Sequence, residues 1–168
     1  FINRPDLFPY SEDKSKGAFV GCPAGWGCQL VNANLFRAFE MEKKGWVLVD
    51  PGSAAGLDGS MAKAVERDEN WFGYYWSPTS MIGKYKMHKL DFGVPFGGKE
   101  NWDGCIVKAE KDCADPKVSS WTKSEVNTVV TCYCSEKYNE KSYIRKYKLR
   151  NILSFSSVFI LNPILWFF

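Results

Sequence analysis

The residues of this chain best suited to chemistry lie in one turn, residues 21–28, with the sequence GCPAGWGC. Three glycines and a proline there specify a turn that bulkier residues could not follow. A bridge between Cys22 and Cys28 would close it into a rigid ring. The ring leads into a helix, whose first backbone N–H groups lack intrahelical partners and stand at the positive end of the helix dipole, a ready anion site. Trp26, inside the ring, sets an indole face beside those amides. One turn thus offers a π-face for a cation and N–H donors for a carboxylate, and a zwitterion needs both at short separation. The competing reading is a structural disulfide turn in which Trp26 plugs the core.

A second aromatic element is WFGYYWSPT at residues 71–79. Strand alternation puts Trp71, Gly73, Tyr75 and Ser77 on one face and Phe72, Tyr74 and Trp76 on the other. Trp76 stands at the strand end, and in open α/β sheets ligands bind beyond the carboxyl ends of strands. Aromatic strands also build cores, so alone this element favours packing. Together, Trp26 and Trp76 at two strand ends form two walls of a cage. A quaternary ammonium ion has no N–H to donate, and aromatic faces hold it at ~0.5–2 kcal/mol per contact.

Six cysteines fall in three close pairs, Cys22/Cys28, Cys105/Cys113 and Cys132/Cys134. The spacing favours disulfides and an oxidising compartment over zinc, which prefers C-x-x-C knuckles with histidine partners, and His88 is the sole histidine. Free thiols remain the alternative and would permit a thiol enzyme working through Cys22 or Cys28. GVPFGGKE at residues 93–100 fits G-x-x-x-x-G-K, but Glu100 stands where a P-loop requires Ser or Thr, so it reads as a loop. His88 reads as a surface or satisfied histidine. Asp58, Glu66, Asp68 and Glu69 read as a solvated helix face and turn. No catalytic residue, metal centre or cofactor site can be assembled.

The elements that must position these residues follow in α/β order. A strand at 17–21 leads through the turn into a helix over 27–44, with Val31, Leu35, Ala38 and Phe39 on its apolar face and Gly45 ending it. Trp46–Val49 is a second strand. Ser53 caps a helix running to Arg67. Residues 71–76 form a third strand, Pro78 starts a helical turn to Lys84, and 87–92 form a fourth strand. This order implies a parallel or mixed sheet covered by helices. Residues 1–16 read as a polar loop or hinge entry, and 93–123 as a long loop stapled by Cys105 and Cys113. Ser124 with Glu125 could open a further helix, against the β-branched Val126, Val129 and Val130.

The 168 residues suffice for one domain. The chain carries 22 Lys+Arg against 19 Asp+Glu, but residues 132–168 hold six basic and two acidic residues, leaving 16 against 17 in the body. A body without basic excess excludes nucleic acid as a partner. Phe1 and the missing basic-then-apolar leader suggest a processed chain or an internal piece of a longer one. From Cys132 the composition shifts to Lys, Tyr, Asn, Ser, Ile, Leu and Phe, ending in the apolar run ILSFSSVFILNPILWFF. That run reads as a truncated membrane span, a buried helix or strand, or a translation out of frame. The last is preferred, because these residue types come largely from AT-rich codons.

GCPAGWGC, then PGSAAGLDGSMAKAVER, then WFGYYWSPTSMIGKYKMHKL, in that order and spacing, resemble the glycine betaine/proline betaine substrate-binding proteins of ABC importers, the OpuAC-like family. The resemblance covers about residues 5–131. It implies the α/β, periplasmic-binding-protein-like type II fold, in which two lobes close on a ligand. Here residues 1–76 would be a ligand-binding lobe, 77–131 the crossover and part of the other lobe with its disulfide loop, and 132–168 an atypical tail. The resemblance further implies that Trp26 and Trp76 are cage walls, that the Gly27 and Cys28 amides hold the carboxylate, and that Cys22–Cys28 is a disulfide. It implies a periplasmic or extracellular binder of glycine betaine, proline betaine, choline or trimethylamine oxide, serving a permease and an ATPase. A preceding lobe with a further aromatic wall would lie outside this sequence. A membrane-tethered or permease-fused sensor for methylated amines is the runner-up.

Overall fold

The computed structural model describes residues 2–77, 79–85, 87–122, 124–126 and 159–167, the last two segments as backbone strands. Strand β1 (Gly17–Val20) runs parallel to β2 (Trp46–Val49) over its whole length, Gly17 opposite Trp46 and Val20 opposite Val49. On its other side β1 meets β3 (Phe72–Ser77), also parallel, with Val20 opposite Gly73. Two further strands, β4 (His88–Lys89) and β5 (Ser124–Val126), pair antiparallel with β6 (Phe159–Phe167), which in turn lies antiparallel to β3. The sheet is therefore mixed, with a parallel β2-β1-β3 heart.

Helix α1 (Gly27–Ala38) and helix α2 (Ala54–Glu66) cover opposite faces of β3. Phe36 of α1 stacks on Phe19, which packs against Phe72 at 5.0 Å between ring centroids. On the other face Trp71 Nε1 donates to Ser60 Oγ of α2 at 2.9 Å, and Leu57, Met61 and Ala64 of α2 are buried. Ser53 caps α2 as expected, accepting the Gly56 N–H at 3.0 Å.

Several expected boundaries move. The α1 helix stops at Ala38, not at residue 44, and a separate 3-10 turn covers Glu42–Lys44. Glu40 takes a left-handed φ of 51°, its N–H donates to the Arg37 carbonyl, and the Met41 N–H donates to the Phe36 carbonyl. That is a Schellman stop, stabilised by burial of Phe36 and Met41 in one cluster rather than by a glycine. The fourth strand shrinks to His88–Lys89. Ser124–Val126 is extended, not helical, which suits its β-branched valine. The short helix after residue 78 is α3 (Ser80–Tyr85), where the Ile82 N–H donates to Thr79 Oγ1 at 3.4 Å; Pro78 itself lies outside the described residues.

Two stretches read as loops do more. The opening segment inserts Phe8, 2 % exposed, between Trp46 and Phe72, and the Ala18 N–H donates to the Phe8 carbonyl. Within 93–123, helix α4 (Lys99–Asn101) widens into a π turn over Trp102–Ile106, and a 3-10 turn follows at Glu110–Asp112. Cys105 and Cys113 are bonded. Asn34 of α1, 1 % exposed, donates its side-chain amide to the carbonyls of Cys105, Ile106 and Lys108. Arg37 bonds Asn34 Oδ1 and the Cys113 carbonyl, so α1 clamps the disulfide loop. Of the apolar tail, Phe159–Phe167 is a strand rather than a helix, and the rest of residues 127–158, with Cys132 and Cys134, lies outside the described residues. Among the described residues no helix is long and apolar enough to cross a membrane.

Candidate functional site

The turn after β1 is built from glycine freedom and one buried side chain. Gly25 adopts φ +83°, a conformation costly for residues with a Cβ, and its N–H donates to Gln29 Oε1 at 3.1 Å. The Cys22 N–H donates to Asn32 Oδ1 at 2.8 Å. Asn32 is 3 % exposed and sits one turn into α1, so the helix holds the turn from inside. Cys22 and Cys28 are disulfide-bonded, closing the ring. Free thiols at these two positions, which a thiol enzyme would need, are therefore not present.

Trp26 is the N-cap residue of α1, in extended geometry with no side-chain cap. Gly27 and Cys28, the first two helical residues, are the positions whose N–H groups a helix leaves unpaired. Gly27 is exposed, and a Cβ built on it would meet nothing within 4 Å. Gly27 is thus uncrowded at the positive end of a 12-residue helix, and Cys28 behind it is half-buried.

β3 brings the second ring to the same place. The Trp26 and Trp76 centroids lie 5.6 Å apart with their planes at 57°. Trp26 is 40 % exposed and Trp76 half-buried, so the pair is a V-shaped corner of indole at the surface rather than a core plug. Two centroids this close leave a zone within ~6 Å of both, the range over which a ring attracts a cation.

Trp76 is backed by its own strand. Tyr75 stacks on it at 4.4 Å and 19°, and Tyr74 lies 6.4 Å away. Alternation sends Tyr75 to the α2 face with Trp71, and its hydroxyl is found there, while its ring also reaches the adjacent Trp76 at the carboxyl end of β3. The Tyr75 hydroxyl donates to Asp58 Oδ1 of α2 at 2.6 Å. Asp58 is thus half-buried and bonded, not the solvated residue expected, whereas Glu66, Asp68 and Glu69 are exposed as expected. Burial pushes the Tyr74 phenol up to about 12. Burial first, then the Asp58 hydrogen bond and charge, push Tyr75 up as well.

Other features lie away from this corner. His88 is exposed on β4. Among the described residues no group of three His, Cys, Asp or Glu could hold a metal. A small apolar cavity of about 20 Å³ lies inside, between Phe19, Asn32, Phe39, Phe92 and Trp121, not at the tryptophan pair. Asn32 and Gln29, which bond the turn, were not read from sequence, and Tyr75 and Asp58 were read only as a strand position and a solvated helix face. The available signal was two asparagines, Asn32 and Asn34, on a helix otherwise read only for its apolar positions.

The family model for the substrate-binding domain of ABC-type glycine betaine transport systems matches residues 4–151, past the composition change at Cys132. Comparison with curated proteins finds no match.

Proposed function

The chain belongs to the family of substrate-binding domains of ABC-type glycine betaine transport systems, and on that premise we propose that its Trp26–Trp76 corner holds the trimethylammonium head of a betaine-type zwitterion. The family has the type II periplasmic-binding fold and captures a small molecule for an ABC importer, binding it outside the cytoplasmic membrane without chemical change. The ligand reading is carried by one observation: two indoles 5.6 Å apart at 57°, partly open to solvent, beside the exposed amino end of α1. The Gly27 and Cys28 amides, next in sequence to Trp26, receive the carboxylate. Glycine betaine is the reference ligand; proline betaine, choline and trimethylamine oxide present the same methylated cation, and choline would forgo the carboxylate contact. The partners are the permease and ATPase of the importer. The two bonded cysteine pairs fit an oxidising, periplasmic or extracellular site of action.

The test uses the 168-residue chain and ligand-observed NMR. Two ring contacts at ~0.5–2 kcal/mol each, with two charge-assisted amide bonds offset by association costs, place the affinity on the order of millimolar. Saturation transfer from the protein to the betaine methyls is expected, and Trp26→Ala and Trp76→Ala each remove it. The isostere 3,3-dimethylbutanoate, of the same shape but with an uncharged tert-butyl head, should bind at least about threefold more weakly. Transfer to betaine that survives both substitutions, or none to any methylated ammonium ligand, refutes the assignment.

A further inference from the structure

A pair of wall rings works only if their planes are held, and Trp76 is half-buried at the end of its strand. Among the described residues, the rings of Trp26, Tyr74 and Tyr75 touch it. Of these Tyr75 is nearest and most nearly parallel, so its ring lies over one face of the indole. Tyr75 is itself 2 % exposed and tied by its hydroxyl to a residue of another element, Asp58 on α2, at 2.6 Å. A chain of direct contacts therefore runs from α2 through Asp58 and Tyr75 to Trp76 and Trp26.

We propose that Asp58 is a positioning residue for the ligand corner: its carboxylate fixes the Tyr75 phenol, and the Tyr75 ring fixes the plane of Trp76. A phenol bonded to a carboxylate gains a stronger, more directional tether than one bonded to a neutral oxygen. Because burial and Asp58 both raise the Tyr75 phenol above its ordinary value, it remains a donor at every physiological pH. The tether also explains why a half-buried acid sits at the midpoint of α2 opposite the sheet, where an apolar residue would pack more simply. This assignment rests on the ligand reading above for its consequence, but its geometry does not.

The experiment has one arm without ligand and one with it. In the 168-residue chain, the Trp76 indole N–H signal is identified by its loss in Trp76→Phe. Ring-current change should move it in Asp58→Ala and in Tyr75→Phe, and Asp58→Asn, which keeps an oxygen acceptor, should return it towards its original position. The Trp46 indole, bonded to the Ile2 carbonyl at 2.8 Å away from this chain of contacts, should stay in place in all three and reports that the fold is intact. With glycine betaine, Asp58→Ala and Tyr75→Phe should weaken binding about threefold to tenfold, and Asp58→Asn by less than about twofold. A Trp76 signal that ignores Asp58→Ala and Tyr75→Phe overturns the positioning role, whatever the ligand result. Absence of betaine binding to the unsubstituted chain overturns the proposed function instead, leaving the ligand-free arm to decide the tether.

Discussion

Replacing Asn32 by alanine should loosen the turn that carries Trp26 and cost a measurable share of the protein's stability. Asn32 is 3 % exposed, and its Oδ1 is the acceptor for the Cys22 N–H at 2.8 Å. Alanine leaves that N–H buried beside a disulfide without an acceptor, which costs ~1–3 kcal/mol. The adjoining cavity is lined chiefly by Phe19, Leu35, Phe36, Phe39 and Met41. It offers water too few polar partners to repair the loss, and deleting the amide enlarges it, adding ~1 kcal/mol. The total, about 2–4 kcal/mol, corresponds to a fall of roughly 1–2 M in the urea midpoint for a small domain. Unfolding would be followed without reductant, so that both disulfides persist, together with hydrogen exchange at the Cys22 amide. Asn32→Leu separates the two contributions: it fills the space but accepts no hydrogen bond. It should recover part of the midpoint while leaving the Cys22 amide as exposed to exchange as in the alanine variant. A Cys22 amide equally protected in both variants, with midpoints within about 0.2 M of the parent, refutes the claim that α1 holds the turn through Asn32.

Gly73→Ala should destabilise by about 1–3 kcal/mol, since a Cβ there would stand 2.5 Å from the Val20 carbonyl oxygen and 2.8 Å from the Trp71 ring, forcing β1 and β3 apart; an unchanged thermal midpoint would contradict the close parallel approach of those strands. Stability should also fall on the alkaline side. Burial raises Tyr74 to about 12, above the unfolded phenol near ~10, so the unfolded chain releases that proton first. The contribution is intact below pH 10 and declines towards pH 12, at ~1.4 kcal/mol per pH unit for one tyrosine. Urea midpoints at pH 9, 10 and 11 check this, and Tyr74→Phe should flatten the slope; the same slope in both proteins would show that Tyr74 ionises as easily folded as unfolded.

Local rules made much of this fold legible. Strands rich in aromatic and β-branched residues, a Ser-capped helix after Pro51-Gly52, and a glycine-dense turn between strand and helix all lie where short-range chemistry puts them. Illegible were features decided by packing between distant segments. The end of α1 depends on Glu40 entering a left-handed conformation, which Phe36 and Met41 burial stabilises and glycine does not mark. Phe8 looks like part of a polar loop until Trp46 and Phe72 surround it. The helical turn at Lys99–Asn101 and its π extension carry little periodicity of their own; Asn34 and Arg37 on α1 take up the carbonyls at its end.

The tryptophan corner divides along the same line. That Trp26 and Trp76 each stand past a strand's carboxyl end follows from counting along the chain. That they meet at 5.6 Å requires β3 to lie beside β1, with β2 on the far side, and alternation of residues within a strand says nothing about the order of strands in a sheet. The same limit hid Tyr75. A period of two assigns it to the α2 face, where its hydroxyl meets Asp58, but does not say that its ring also lies against the indole of Trp76. The face rule describes a strand paired and packed along its length. Burial drops from Tyr75 to Trp76 and Ser77, and a large ring at such an edge can lie back along the strand to cover its neighbour. Where the packing ends, side-chain direction is set by the partners at hand, here the neighbouring rings at the end of β3.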